Sequence, residues 1–134
     1  FSNTSKYSLW CSNHQNAAVT KNTVCEPLTG GGWQMTHGIG HENFFWESAA
    51  SAISAVVLGN GVSGGTGAQS GLKDHQSGLG LQFSAEVGEA VAKARLTRAH
   101  ANDLVKRIMA KYQPTIDSSS PSSRRSGTWI CTTR

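Results

Sequence analysis

The stretch from Glu42 to Leu58, E-N-F-F-W-E-S-A-A-S-A-I-S-A-V-V-L, constrains this chain more than any other. Phe45, Ala49, Ala52, Ile53, Val56 and Val57 recur at helical spacing and form one apolar stripe, widened by Phe44 and Trp46. The opposite side carries only Ser48, Ser51, Ser54 and alanine, so no bulky side chain holds a neighbour away. The spacing predicts a helix that packs closely on two sides. Gly59 follows where a helix ends in left-handed backbone, a conformation that a residue without Cβ adopts cheaply.

Around this helix the chain divides into three parts. Residues 1–41 are polar and irregular, with strand-like pieces at Tyr7–Cys11 and Ala17–Val24 where β-branched and aromatic residues gather. Residues 42–113 are helical. Beyond Gly59, a loop over 59–78 holds seven glycines, and two more helices follow. The first of these carries Leu81, Ala85, Val87, Val91 and Ala94. The second is capped by Thr97 and buries Ala101, Leu104, Val105, Ile108, Met109 and Tyr112 until Pro114 stops it. Residues 114–134 contain S-S-S-P-S-S-R-R from Ser118 to Arg125 and read as a disordered, serine-rich tail.

Composition narrows the function classes. With 134 residues, 37% hydrophobic content and 15 glycines, the chain supports one thin core or is a piece of something larger, and its start at Phe1 reads as either processing or a fragment. No apolar run is long enough to span a membrane, and the polar stretch from Ser2 to Lys6 does not read as a signal peptide, so a cytoplasmic location is expected. Cys11, Cys25 and Cys131 are too few and too odd in number for a disulfide framework. Lysine and arginine outnumber acids after Glu86, yet no aromatic residues interleave with them up to Lys111 as stacking platforms would. A nucleic-acid partner is therefore not expected.

Three motifs bear on chemistry. Gly59-Asn60-Gly61-Val62-Ser63-Gly64 has the spacing of a dinucleotide fingerprint, but helical periodicity precedes it, glycines follow it, and no acid sits about twenty positions on. It does not read as a phosphate cradle. Cys11, His14, Cys25 and His37, with His41 nearby, offer two thiolates and two imidazoles, a set that suits tetrahedral zinc. Gly38-Ile39-Gly40 places a loop rather than a helix between His37 and His41. At the helix mouth His41-Glu42 is a usable acid/base pair, although Glu42 is explained as well by its match to the positive helix start.

An ordered set of motifs carries a family resemblance. Gly38-x3-Glu42 leads to Glu47-Ser48-Ala49-Ala50, then to Asp74…Gly78 in the glycine-rich loop. Glu86-Val87…Ala90…Ala92 follows, and last come Leu96-Thr97-Arg98-Ala99-x-Ala101-Asn102-x-Leu104-Val105…Ile108…Tyr112. In this order, residues 38–113 resemble the C-terminal region of the monomethylamine:corrinoid methyltransferases. The resemblance implies an α/β fold, a C-terminal fragment of a TIM (β/α)8 barrel that is predominantly helical in this segment. It implies transfer of a methyl group from methylammonium to the Co(I) of a corrinoid carried by a partner protein, with no cofactor bound directly by this segment. The pyrrolysine of that family is absent from this sequence. By position, Trp33 and Gln34 would line a substrate pocket, with His41 and Glu42 as the other catalytic candidates. A segment lacking most of its barrel is not expected to act alone, and exposed helix faces would favour homo-oligomers. The arginine-rich end of the tail departs from the family and reads as the product of a frameshift. The alternative is a small helical binding module with a zinc site at Cys11, His14, Cys25 and His37 and no catalysis.

Overall fold

The structure, a computed structural model, describes residues 4, 9–10, 13–14, 17–18, 21, 33–62, 65–67 and 77–118. Within them run β1 (Trp33–Gln34), α1 (Glu42–Val57), β2 (Gly65–Thr66), α2 (Gly78–Ala94) and α3 (Arg98–Ser118). The two strands pair in parallel, Trp33 opposite Gly65 and Gln34 opposite Thr66. Parallel strands cannot be joined by a tight turn, and α1 supplies the crossover. A β–α–β unit therefore leads into two further helices, and α1 packs against both of them. The segment is predominantly helical, as expected.

Helix α1 is the centre of the molecule. Every residue from Glu47 to Ala55 is buried, along with Asn43 and Phe44. Burial on all sides is possible because serine and alanine let both neighbouring helices approach. The end of α1 follows the expectation for Gly59, which sits at φ +85°. Its N–H bonds Val56 O at 3.0 Å, and the Asn60 N–H bonds Ala55 O at 2.9 Å. This pair of bonds is a Schellman motif that satisfies two terminal carbonyls. The glycines of the G-x-G-x-x-G thus begin as a helix stop, and a helix rather than a strand precedes them.

Helix α2 corrects one expectation. Its buried row is Gly80, Ser84, Gly88 and Val91, while Leu79 and Leu81 are exposed and Ala85 and Ala94 lie outside. The contact with α1 is too close for leucine. A Cβ on Gly80 would stand 2.9 Å from Phe44 Cζ, and one on Gly88 would stand 2.8 Å from Val62 Cγ2. Ser48 and Ser84 meet across the contact, their hydroxyls 2.6 Å apart.

Helix α3 starts as read from the sequence, with the His100 N–H bonding Thr97 Oγ1 at 3.3 Å. It does not stop at Pro114. The helix runs on to Ser118 with Pro114 exposed inside it. Proline removes one backbone donor, but Tyr112 and Ile116 on either side of it are buried in the core, and that burial holds the last turn in place. The strand-like readings of the first segment are also corrected. Leu9, Trp10, Asn13, His14, Ala17, Ala18 and Lys21 are helical, and the strand lies at Trp33–Gln34. The 59–78 stretch is likewise not all loop, since β2 lies within it. The tail beyond Ser118, with Cys131 and the arginine-rich end, lies outside the described residues, as do Asp74, Cys11 and Cys25. Among the described residues no helix is long and apolar enough to cross a membrane.

Candidate functional site

The chemistry gathers where β1 turns into α1. After Gln34 the chain passes through Met35, Thr36 and His37, then reverses in a tight turn in which the His41 N–H bonds Gly38 O at 3.2 Å. Gly40 takes φ +96° in this turn, a region costly for a residue with Cβ. The reversal stacks the imidazoles of His37 and His41, ring centroids 4.7 Å apart and planes 28° from parallel. Their four-residue spacing therefore does bring them together, through a turn and not through a helix.

Under this turn lies Glu47, one turn and a half into α1 and with no solvent exposure. A buried carboxylate is costly unless its lone pairs are filled. Here each oxygen takes two donors. Oε2 accepts from the Thr4 hydroxyl and from the Thr36 N–H at 2.6 Å. Oε1 accepts from the His37 N–H at 3.2 Å and from His37 Nδ1. An ionised carboxylate only accepts, so the proton between them sits on Nδ1, and a neutral His37 keeps its lone pair on Nε2. That nitrogen lies 3.4 Å from Asn43 Nδ2, which is also 3.4 Å from Thr115 Oγ1 on α3.

The arrangement is braced from behind. The Tyr112 hydroxyl donates to Thr4 O at 2.8 Å, joining α3 to the residue that holds Glu47. Burial, and then the negative charge of Glu47, push the Tyr112 phenol well above its ordinary range, so it remains a donor. Thr36 Oγ1, on the same turn, is buried without a hydrogen-bond partner among the described residues.

The expected site residues fall unevenly around this cluster. His41 is the N-cap of α1, and its Nδ1 accepts from the Asn43 N–H at 3.1 Å. Glu42 is exposed in the first turn, where its charge complements the helix start. The carboxylate paired with imidazole is thus Glu47 with His37 rather than Glu42 with His41. Trp33 and Gln34 form β1, which leads into the turn. Of the zinc set, His14 Nδ1 is bonded to Trp10 O at 2.9 Å and His37 Nδ1 to Glu47, and the two cysteines lie outside the described residues. No group of three or more metal-ligating side chains is found among the described residues. Sequence reading missed Glu47 as a site residue. The available signal was the row Asn43, Glu47, Ser51, with its larger polar groups at i and i+4 in a helix whose other buried polar residues are serines.

A family model described as monomethylamine methyltransferase MtmB matches residues 1–126. The match extends the resemblance read over 38–113 to nearly the whole chain. No curated protein and no solved structure matches.

Proposed function

The chain belongs to the monomethylamine methyltransferase family, and from that premise we propose that it is the C-terminal part of a TIM barrel that moves a methyl group from methylamine to a corrinoid protein. The observation that carries the reading is the family match over residues 1–126. The parallel β1–α1–β2 unit with outer helices is in keeping with the last units of such a barrel. In that fold the active site forms at the ends of the strands where they run into the following loops. The turn from Met35 to His41 is a loop of this kind, and it holds His37, paired with Glu47 of α1.

On this reading Trp33 and Gln34 deliver the chain to the substrate pocket, and His37, Asn43 and His41 form part of its wall. The corrinoid is a co-substrate carried by a partner protein, and the pyrrolysine would be supplied by an upstream strand. The family reading is tested by the coding DNA together with an assay. An open frame upstream of Phe1 with an in-frame UAG is expected, and its translated polypeptide should methylate a corrinoid protein when given monomethylamine. A closed upstream frame, or a polypeptide without monomethylamine-dependent transfer, would overturn it. The same DNA tests the frameshift proposed for the tail, which requires a second open frame across Arg124–Arg134.

A further inference from the structure

We propose that His37 Nε2 is a hydrogen-bond and proton acceptor for a primary ammonium group, held in the accepting tautomer by Glu47. The inference rests on the methylamine reading of the same turn and adds the atoms that would meet the amine. Glu47 has no exposure and accepts a hydrogen bond from the protonated Nδ1, so the lone pair of a neutral His37 can only be on Nε2. A wholly buried carboxylate, filled by Thr4, Thr36 and His37 donors, cannot itself turn toward a ligand, so it acts as a positioning residue.

What faces Nε2 is weakly committed. The Asn43 amide nitrogen is 3.4 Å from Nε2 and 3.4 Å from Thr115 Oγ1, both at the long limit of a hydrogen bond. Turning the amide over would exchange Nδ2 for Oδ1 and convert Asn43 from a donor to an acceptor in the same space. Nε2 and Asn43 Oδ1 would then be two neighbouring acceptors for the N–H groups of a primary ammonium. Asn43 is only 5% exposed, while Thr115 and His41 are exposed and leave the cluster open at its edge. His41 is not a competing acceptor at Nδ1, which the Asn43 N–H already occupies.

The step is a proton transfer. The N–H bond of methylammonium breaks, its electron pair stays on nitrogen, and the proton moves to Nε2. Methylamine and a His37 imidazolium result, and the positive charge lies against the Glu47 carboxylate, as in other carboxylate–imidazole pairs. The neutral amine is the form whose lone pair is available for further chemistry.

The test is side-chain nitrogen NMR of the labelled chain, titrated with methylammonium chloride and, at equal ionic strength, tetramethylammonium chloride. The expected result is a His37 signal of the Nδ1–H tautomer whose Nε2 shift changes saturably with methylammonium and not with tetramethylammonium. The change should be lost in His37→Gln. An Nε2–H tautomer, no saturable change, or equal responses to both salts would overturn the proposal. If these negatives occur in a polypeptide that still transfers methyl groups from monomethylamine, the inference fails and the family reading stands. A saturable shift beside a complete lack of transfer supports the ammonium site and overturns the methyltransferase reading.

Discussion

Helix α1 has two principal contacts, and they rest on different physics. Against α2 the surfaces are small and neutral: Gly80, Ser84 and Gly88 meet Phe44, Ser48 and Val56, and the partners fit because nothing protrudes. Against the β1–α1 turn the contact is polar and buried, with Glu47 holding four donors and Asn43 reaching His37 and, on α3, Thr115. The first contact tolerates loss and resists gain of volume. The second tolerates neither loss of charge nor loss of a donor. A scaffold contact and a reactive contact thus share one helix, and substitutions should tell them apart.

The largest difference is expected at Glu47. Glu47→Ala leaves the Thr36 and His37 N–H groups and the Thr4 hydroxyl buried without their acceptor, a loss of about 3–5 kcal/mol. Urea unfolding measures it, and a loss below about 1 kcal/mol would show that the pair is not a structural necessity. On the other contact the sign depends on which neighbour can move. Alanine gains about 1 kcal/mol over glycine in a helix, and overpacking costs about 1–3 kcal/mol. Gly80→Ala presses on the buried Phe44 ring and should destabilise by about 1 kcal/mol net. Gly88→Ala presses on the half-buried Val62 and should come out near neutral. Equal losses at both sites would contradict the account of this contact.

The polar side should also respond to base. Tyr112 holds its proton more tightly in the folded chain than its ordinary value near 10, because of burial and of Glu47. Its contribution is complete below pH 10. Above pH 10 the unfolded chain releases the proton while the folded one keeps it, so stability should fall by about 1.4 kcal/mol per pH unit. Tyr112→Phe should flatten that slope in pH-dependent unfolding; an unchanged slope would place the ionisation elsewhere. A modest effect is expected between Ser48 and Ser84. Each serine-to-alanine change should cost about 1 kcal/mol, and the double change less than the sum, because the two hydroxyls share one bond.

The two contacts were not equally legible in the sequence. Helix α1 and its stop at Gly59 could be read because periodicity and a left-handed cap are local signals. The start of α3 at Thr97 was legible for the same reason. The buried row of α2 was not, because leucine marks a core in most helices and here glycine and serine do. Pro114 misled because a local breaker was outweighed by the burial of Tyr112 and Ile116. In the site, His41-Glu42 drew attention as sequence neighbours, whereas the pair that forms is His37 with Glu47, ten residues apart and joined only by the turn at Gly38–Gly40. Thr4 and Tyr112 belong to the same cluster across 108 positions, a separation that no local pattern reveals.

The most direct test of the central claim compares the two contacts in one assay. The polypeptide carrying this segment is given monomethylamine and a corrinoid protein, and methylated corrinoid is followed for the unchanged chain, His37→Gln and Ser84→Ala. The account predicts transfer by the unchanged chain, near-normal transfer by Ser84→Ala, and at least a hundredfold loss in His37→Gln, about the lower bound for removing a general base. Full transfer by His37→Gln would contradict it.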